Sequence, residues 1–313
     1  MRRTSGLARL GLYVIAGILS SLAIALPFHS SWGSSRRSAA VAGRTTTAAA
    51  PPFAGLLSFC HGPKFEAMES WTSRNHREYA RRHRYDVFQG DDNILPHMHF
   101  LEPFAWLKAG LLWQLLQARS AHQWFVWVDC DALYMNLDKS VPDLLRDLGV
   151  DPGPAGTTHV VAADDLGSSL FNTGVLVVRN SQWSRDFFAN VLRSAKHHDV
   201  RNHGWWEQFA MQELYKQNHH EEQKRVAIIQ ERYKLNAFTN QREYVDGVSF
   251  VLHQVFCPGD QPNTAATVAE CGRKFKGYFC TTLAEMYPKQ CSEDVSVQQE
   301  IIDARVSKLG FRG

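Results

Sequence analysis

Residues 124–133 read WFVWVDCDAL. The run Trp124–Val128 is wholly apolar, rich in β-formers and too short for a helix. It reads as a strand buried on both faces. Asp129 and Asp131 follow at once. Carboxylates at the end of such a strand must face water or a cation, because burying them unpaired is prohibitive. An Asp-x-Asp triplet alone is weak, since it also serves as a turn or a helix N-cap. Its place directly after the apolar run gives it meaning. Hard oxygen ligands at this spacing suit Mn²⁺ or Mg²⁺ beside a diphosphate.

Further strands read at 53–59, 85–88, 159–163, 175–178, 226–229 and 248–252, and helices at 64–83, 104–119 and 205–217. Strands separated by helices predict an α/β domain with a mainly parallel central sheet. Ligands in such sheets collect outside the carboxyl ends of the strands. There stand Asp129 and Asp131, then Asp164 and Asp165 after 159–163, then His253 after 248–252. A histidine nitrogen added to the two aspartates favours manganese over magnesium. No GxxxxGK[ST] or GxGxxG follows a strand, which disfavours P-loop and dinucleotide folds.

The 313 residues are 44% hydrophobic and 21% charged, a globular composition. A formal net charge of +3 gives no support for nucleic-acid binding. His197-His198 and His219-His220 read as solvated surface, and Asp91-Asp92 as a loop with or without a substrate contact. Of the six cysteines, Cys257, Cys271, Cys280 and Cys291 crowd the end of the chain. They lack the CxxC spacing of zinc sites and predict disulfides, with the pairing open. Cys60 and Cys130 flank apolar strands and read as buried thiols.

Arg2, Arg3 and Arg9 precede an uncharged apolar run at 10–26. That pattern predicts a membrane anchor with a cytoplasmic tail at 1–9, a cleaved signal peptide being the competing reading. Residues 27–52, rich in Ser, Thr, Ala and Gly, read as a flexible stalk before a domain at 53–313.

An ordered set of segments carries a resemblance. Asn75-His76-Arg77-Glu78-Tyr79 leads to Arg84-Tyr85, then Trp106-Leu107-Lys108, then Trp127 through Leu133. Asn172-Thr173-Gly174 and Arg179-Asn180 through Ser184 follow, then Glu207-Gln208, Arg232 with Asn236-Ala237-Phe238, and His253. The series resembles glycosyltransferase family 34, over roughly residues 53–291. Arg84 stands where that family usually has glycine, and Glu207 where it has aspartate.

The resemblance implies a GT-A fold and a retaining transfer of galactose, mannose or xylose. The implied donor is a nucleotide-sugar, the acceptor a glycan or glycoprotein, and the setting a single-pass type II Golgi membrane enzyme using Mn²⁺. It implies a metal held by Asp129, Asp131 and His253. Ser58, Lys108, Asn172, Thr173 and Gly174 join the aspartates at the donor. Glu207, Gln208, Asp164 and Asp165 are the expected catalytic group, Glu207 kept ionised by its helix N-terminus. Lys108 read alone could be a solvated helix lysine, residues 172–174 a turn, and Trp205-Trp206 either core packing or an acceptor-stacking platform. A sugar-binding protein without catalysis and a metal-dependent hydrolase or nucleotidyltransferase are the rival classes.

The anchor predicts that residues 53–313 lie in the lumen. Protease added to sealed microsomes should leave the domain intact until detergent is supplied; digestion without detergent would overturn this topology.

Overall fold

The protein is described by a computed structural model over residues 52–90, 104–118, 121–167, 170–255, 257 and 264–291. The expected anchor, nearly all of the stalk, and Asp91-Asp92 lie outside these residues. Among the described residues no helix is long and apolar enough to cross a membrane.

In chain order the main elements are β1 (Ala54–Phe59), α1 (Pro63–His83), β2 (Asp86–Gly90), α2 (Leu107–Gln117), β3 (Trp124–Val128) and β4 (Ala132–Tyr134). Then come α3 (Val141–Asp147), β5 (Val160–Asp164), β6 (Phe171–Arg179), α4 (Gln182–Ser194) and α5 (Trp206–Gln217). The chain continues with β7 (Val226–Ile229), β8 (Asn236–Phe238), β9 (Val251–His253) and α6 (Ala265–Leu283).

Six strands form one sheet in the order β2-β1-β3-β6-β5-β7. Parallel pairs join β1 to β2 and β3, and β5 to β7; β6 runs antiparallel between β3 and β5. The sheet is mainly parallel, as expected. The exception has a simple cause: the link from Asp164 to Phe171 is too short for a crossover, so β6 must return antiparallel. Every residue of β3 is buried.

Sequence analysis placed the strand before His253 in the central sheet. It lies instead in a second, three-stranded sheet, β4-β9-β8. Ala132 pairs with His253 there, and Gln254 N–H donates to Asp131 O at 2.8 Å. This register brings His253 to the aspartates across the intervening sequence.

Helix α1, polar by composition, buries a stripe of polar residues against the chain that follows Asp129. Thr72 donates to Cys130 O at 2.5 Å and His76 Nε2 to Ala132 O at 3.1 Å. Asn75 clasps Tyr134 twice, Nδ2 to its carbonyl at 2.9 Å and Oδ1 from its N–H at 2.7 Å. Tyr79 stacks on Tyr134, centroids 4.1 Å apart, and donates to Lys139 O at 2.8 Å. Positions 72, 75, 76 and 79 share one face of a helix. Burial holds His76 down to about 4, against the raising effect of its bond to Ala132, so the ring stays neutral at ordinary pH. Arg84 closes α1 in the left-handed region, φ 58°, its N–H bonded to Ala80 O. That conformation explains why glycine is expected at this position.

Cys60 and Cys130 are not thiols but a disulfide. Strands β1 and β3 are parallel neighbours, with Leu57 opposite Trp127, so the residues just past their ends meet. The other bridges are Cys257–Cys271 and Cys280–Cys291. With all three, no free cysteine remains among the described residues. A bridge spanning 70 positions, as Cys60–Cys130 does, is worth about 4 kcal/mol by chain-entropy reckoning. The Cys60→Ala/Cys130→Ala pair should therefore lower the calorimetric Tm by several degrees; an unchanged Tm would refute that share.

Candidate active site

Asp129, Asp131 and His253 converge at the end of β3, one ligand atom from each lying within 4.8 Å of the others. His253 Nε2 is 3.2 Å from Asp131 Oδ1 and 4.0 Å from Asp129 Oδ2. Two carboxylate oxygens and an imidazole nitrogen are a donor set for a divalent cation. Trp127 Nε1 donates to Asp129 Oδ1 at 2.6 Å, which aims that carboxylate.

Beneath this cluster Lys108 is buried rather than solvated. Its Nζ lies 3.0 Å from Asp129 Oδ1, 3.1 Å from Glu207 Oε1 and 2.9 Å from Thr173 O. Burial disfavours its charge, but the flanking Asp129 and Glu207 outweigh burial and hold the ammonium above its ordinary pKa.

Glu207 is only 3% exposed. Its Oε1 accepts from Thr173 Oγ1 at 3.1 Å, while Oε2 has no hydrogen-bond partner among the described residues. Burial pushes its carboxyl above the ordinary range against the pull of Lys108. A backbone N–H at the helix start favours its charge, as expected, but the larger favourable influence is Lys108.

Residues 172–174 form no turn. They belong to β6, at an irregularity where the β5 partner jumps from Leu176 to Asn172 between Ala162 and Ala163. On its other edge, Gly174 O accepts the Asp129 N–H at 2.8 Å. A Cβ on Gly174 would fall 2.2 Å from His253 Cε1, so the histidine ring occupies the space a side chain would need. Asn172 Oδ1 accepts from Gly174 N–H at 2.8 Å and from Asn236 Nδ2 at 3.0 Å.

Gln208 Oε1 accepts the Thr173 N–H at 3.0 Å and its Nε2 donates to Asp165 Oδ2 at 2.9 Å. Hydrogen bonds and ion pairs thus connect Asp165, Gln208, Thr173, Lys108, Glu207 and Asp129. Asp164 ends β5 and faces Arg232, 3.8 Å from Oδ2 to Nη1. Arg232 also forms a two-pronged pair with Glu243 and lies over the Phe238 ring. Ser58 lies buried near the end of β1 with its hydroxyl unpartnered among the described residues, so no hydrogen bond from it joins the cluster there. His197, His219 and His220 do not belong to this site; with Arg193 and Lys196 they line a separate cavity of about 370 Å³.

Sequence reasoning missed Trp127 as an aiming group, Arg232 as the partner of Asp164, and the buried stripe of α1. The signal for that stripe was present: Thr72, Asn75, His76 and Tyr79 recur at helical spacing in a highly charged segment.

The galactosyl transferase GMA12/MNN10 family model matches residues 60–148, which contain α1, Lys108, Asp129 and Asp131. Over that stretch, less than a third of its length, the chain is similar to that family. Galactomannan galactosyltransferase 1 of Cyamopsis tetragonoloba is 27% identical over 128 residues, 41% of this chain and 28% of that protein. An uncharacterized alpha-1,2-galactosyltransferase of Schizosaccharomyces pombe is 28% identical over 148 residues, 38% of this chain and 39% of that protein. The match therefore spans well under half of either relative. A solved glycosyltransferase involved in the glycosylation of the major capsid of PBCV-1 shares the fold. Its TM-score is 0.55 at 16% identity, covering 72% of this chain and 99% of that one. The architecture is GT-A-like.

Gly174→Ala should displace the His253 ring or part β6 from it, because the new Cβ would lie 2.2 Å from Cε1. The expected result is a Tm lower by several degrees and a shifted His253 signal in histidine-resolved NMR. An unshifted signal would show that the close approach does not constrain the ring.

Proposed function

We propose that this protein is a retaining, metal-assisted glycosyltransferase, moving galactose, mannose or xylose from a nucleotide-sugar to a glycan acceptor. The observation that carries the reading is the Asp129–Asp131–His253 cluster set over buried Lys108 in a GT-A-like fold. The donor set fits a divalent cation, and the imidazole favours Mn²⁺. When bound, the cation supplies positive charge against the diphosphate that leaves.

The chain's own residues do the rest. Lys108 and Trp127 fix the Asp129 carboxylate, while the Ala132–His253 pairing fixes the imidazole. Positive charge grows on the sugar carbon as the leaving group departs, and a carboxylate or amide opposite stabilises it. Gln208, Asp164 and Asp165 are the part-buried members of the expected catalytic group, and Gln208 and Asp165 are linked to each other. Glu207 lies behind Lys108 and Thr173, where its charge orients both. The two named relatives are galactosyltransferases, which puts UDP-galactose first among donors to try. We also infer the type II anchor at 10–26 and a Golgi lumenal site, from the basic residues before that apolar run.

A donor screen on the detergent-solubilised full chain tests the reading. Nucleoside diphosphate release with sugar transfer is expected; pyrophosphate or phosphate release alone would replace it with a nucleotidyltransferase or hydrolase. EDTA should abolish transfer and Mn²⁺ restore it, and chelator-resistant transfer would remove the metal. Asp129→Asn, Asp131→Asn and His253→Ala should each lower kcat by roughly 10²–10³. Glu207→Gln should lower turnover with little change in donor affinity. Near-normal turnover there would remove the orienting role of Glu207 and leave catalysis to Gln208, Asp164 and Asp165. The product linkage should be α by NMR; β would overturn retention.

A further inference from the structure

Trp205 is 43% and Trp206 39% exposed, so the core-packing reading of this pair is wrong. With Met286 they are the exposed large hydrophobic residues among those described. Neighbouring exposed indoles are costly in water, and a patch of this kind marks a contact surface.

Three observations place the patch. Trp206 directly precedes Glu207 and Gln208, whose side chains reach Lys108, Thr173 and Asp165. Gln212, one turn further along α5, donates to Phe171 O at 2.8 Å. Helix α5 therefore runs from the site back along β6, with the tryptophans at the site end. Finally, Trp206 has φ 38°, a left-handed conformation that a bulky side chain rarely adopts. Strain of this kind persists where the surroundings enforce it, and it concentrates at functional sites. The turn is held by Trp206 N–H to His203 O at 2.9 Å and Trp205 N–H to His203 Nδ1 at 3.1 Å.

We propose that Trp205 and Trp206 form the acceptor subsite, a platform on which a neutral sugar ring of the acceptor glycan stacks beside the Gln208–Asp165 face. The inference rests on the sugar-transfer reading above. The chemistry selects the ligand. The C–H bonds on one face of a pyranose make a flat, apolar, weakly positive surface, which matches the negative face of an indole. The indole N–H remains available to a sugar hydroxyl. A donor's charged diphosphate belongs instead with Asp129, Asp131 and His253, where the metal ligands are. Two exposed, uncharged rings, consecutive in the chain, therefore suit the uncharged partner of the reaction.

The test uses the full chain in detergent, with UDP-galactose as donor and mannotriose, cellotriose and galactotriose as acceptor probes. In the wild type, at least one probe should accept sugar and quench indole fluorescence saturably. Trp205→Ala and Trp206→Ala should each raise that probe's KM on the order of ten-fold, with a smaller fall in kcat. The share of donor lost to water rather than to the probe should rise. Trp206→Phe should recover most of the affinity, because it restores a ring face.

Unchanged acceptor KM and partition in both alanine variants would overturn the platform. So would a series of probes that neither accept sugar nor quench the wild type. A dimer that becomes a monomer in the double variant, with acceptor KM unchanged, would assign the patch to self-association instead. Saturable quenching without donor consumption would keep the platform and overturn the transfer reading, so the two failures are distinguishable.

Discussion

The ammonium of Lys108 is the contact on which the arrangement of the site depends. It lies buried among Asp129, Glu207 and the Thr173 carbonyl. Removing a lysine from water costs several kcal/mol, recovered only when opposite charge and hydrogen bonds surround it. Those partners come from the end of β3, the start of α5 and the irregular stretch of β6. One cation therefore fixes three separate pieces of chain. Substituting it with a neutral residue would leave Glu207 buried with its charge unmatched. The dependence runs both ways, since Asp129 and Glu207 are what keep Lys108 charged.

Helix α1 adds a second constraint, directed at the backbone. Its residues Thr72, His76 and Asn75 take the carbonyls of Cys130, Ala132 and Tyr134, every second residue after Asp129. Buried carbonyls need donors, and here a helix supplies them at its own period. The Cys60–Cys130 bridge closes the same segment from the side of β1. Asp131 thus sits on a backbone gripped from two directions, and β4 is positioned to pair with β9 and carry His253. A candidate ligand set held this way is organised in advance, which would limit the entropy lost on binding a cation.

The parts legible in the sequence are those whose pattern is long or chemically distinctive. Trp124–Val128 is an unbroken apolar run, and the aspartates after it could only be solvated or liganded. The second sheet was not legible as a sheet, because β4, β8 and β9 are each three residues long and show no period. The Cys60–Cys130 pair was hidden for a related reason: strand adjacency brings the two together, and nothing near either cysteine records it. For Glu207 the helix start was legible and the larger influences were not. Local sequence gave a helix start, whereas tertiary burial and Lys108 decide its charge. Segment 64–83 read as polar, and which polar residues face inward depends on a partner far along the chain.

The irregularity in β6 shows how an apparent defect unites these elements. A regular strand would pair Thr173 and Gly174 with β5 on one edge and β3 on the other. The jump in the β5 register instead frees them from the β5 ladder: Gly174 O holds the Asp129 N–H beyond β3, while Thr173 turns its N–H to Gln208 and its carbonyl to Lys108. Releasing strand pairing over these residues sacrifices ladder hydrogen bonds, and the carbonyls recover partners from the site itself. Glycine at 174 then has a packing reason rather than a turn reason: the missing side chain is the space filled by the ring of His253. The central sheet and the small sheet are thereby locked at one point, with Asp129 on one side of it and Asp131 and His253 on the other. A shift of either sheet would move His253 against the aspartates, so the packing that secures the fold also sets the geometry of the ligand set.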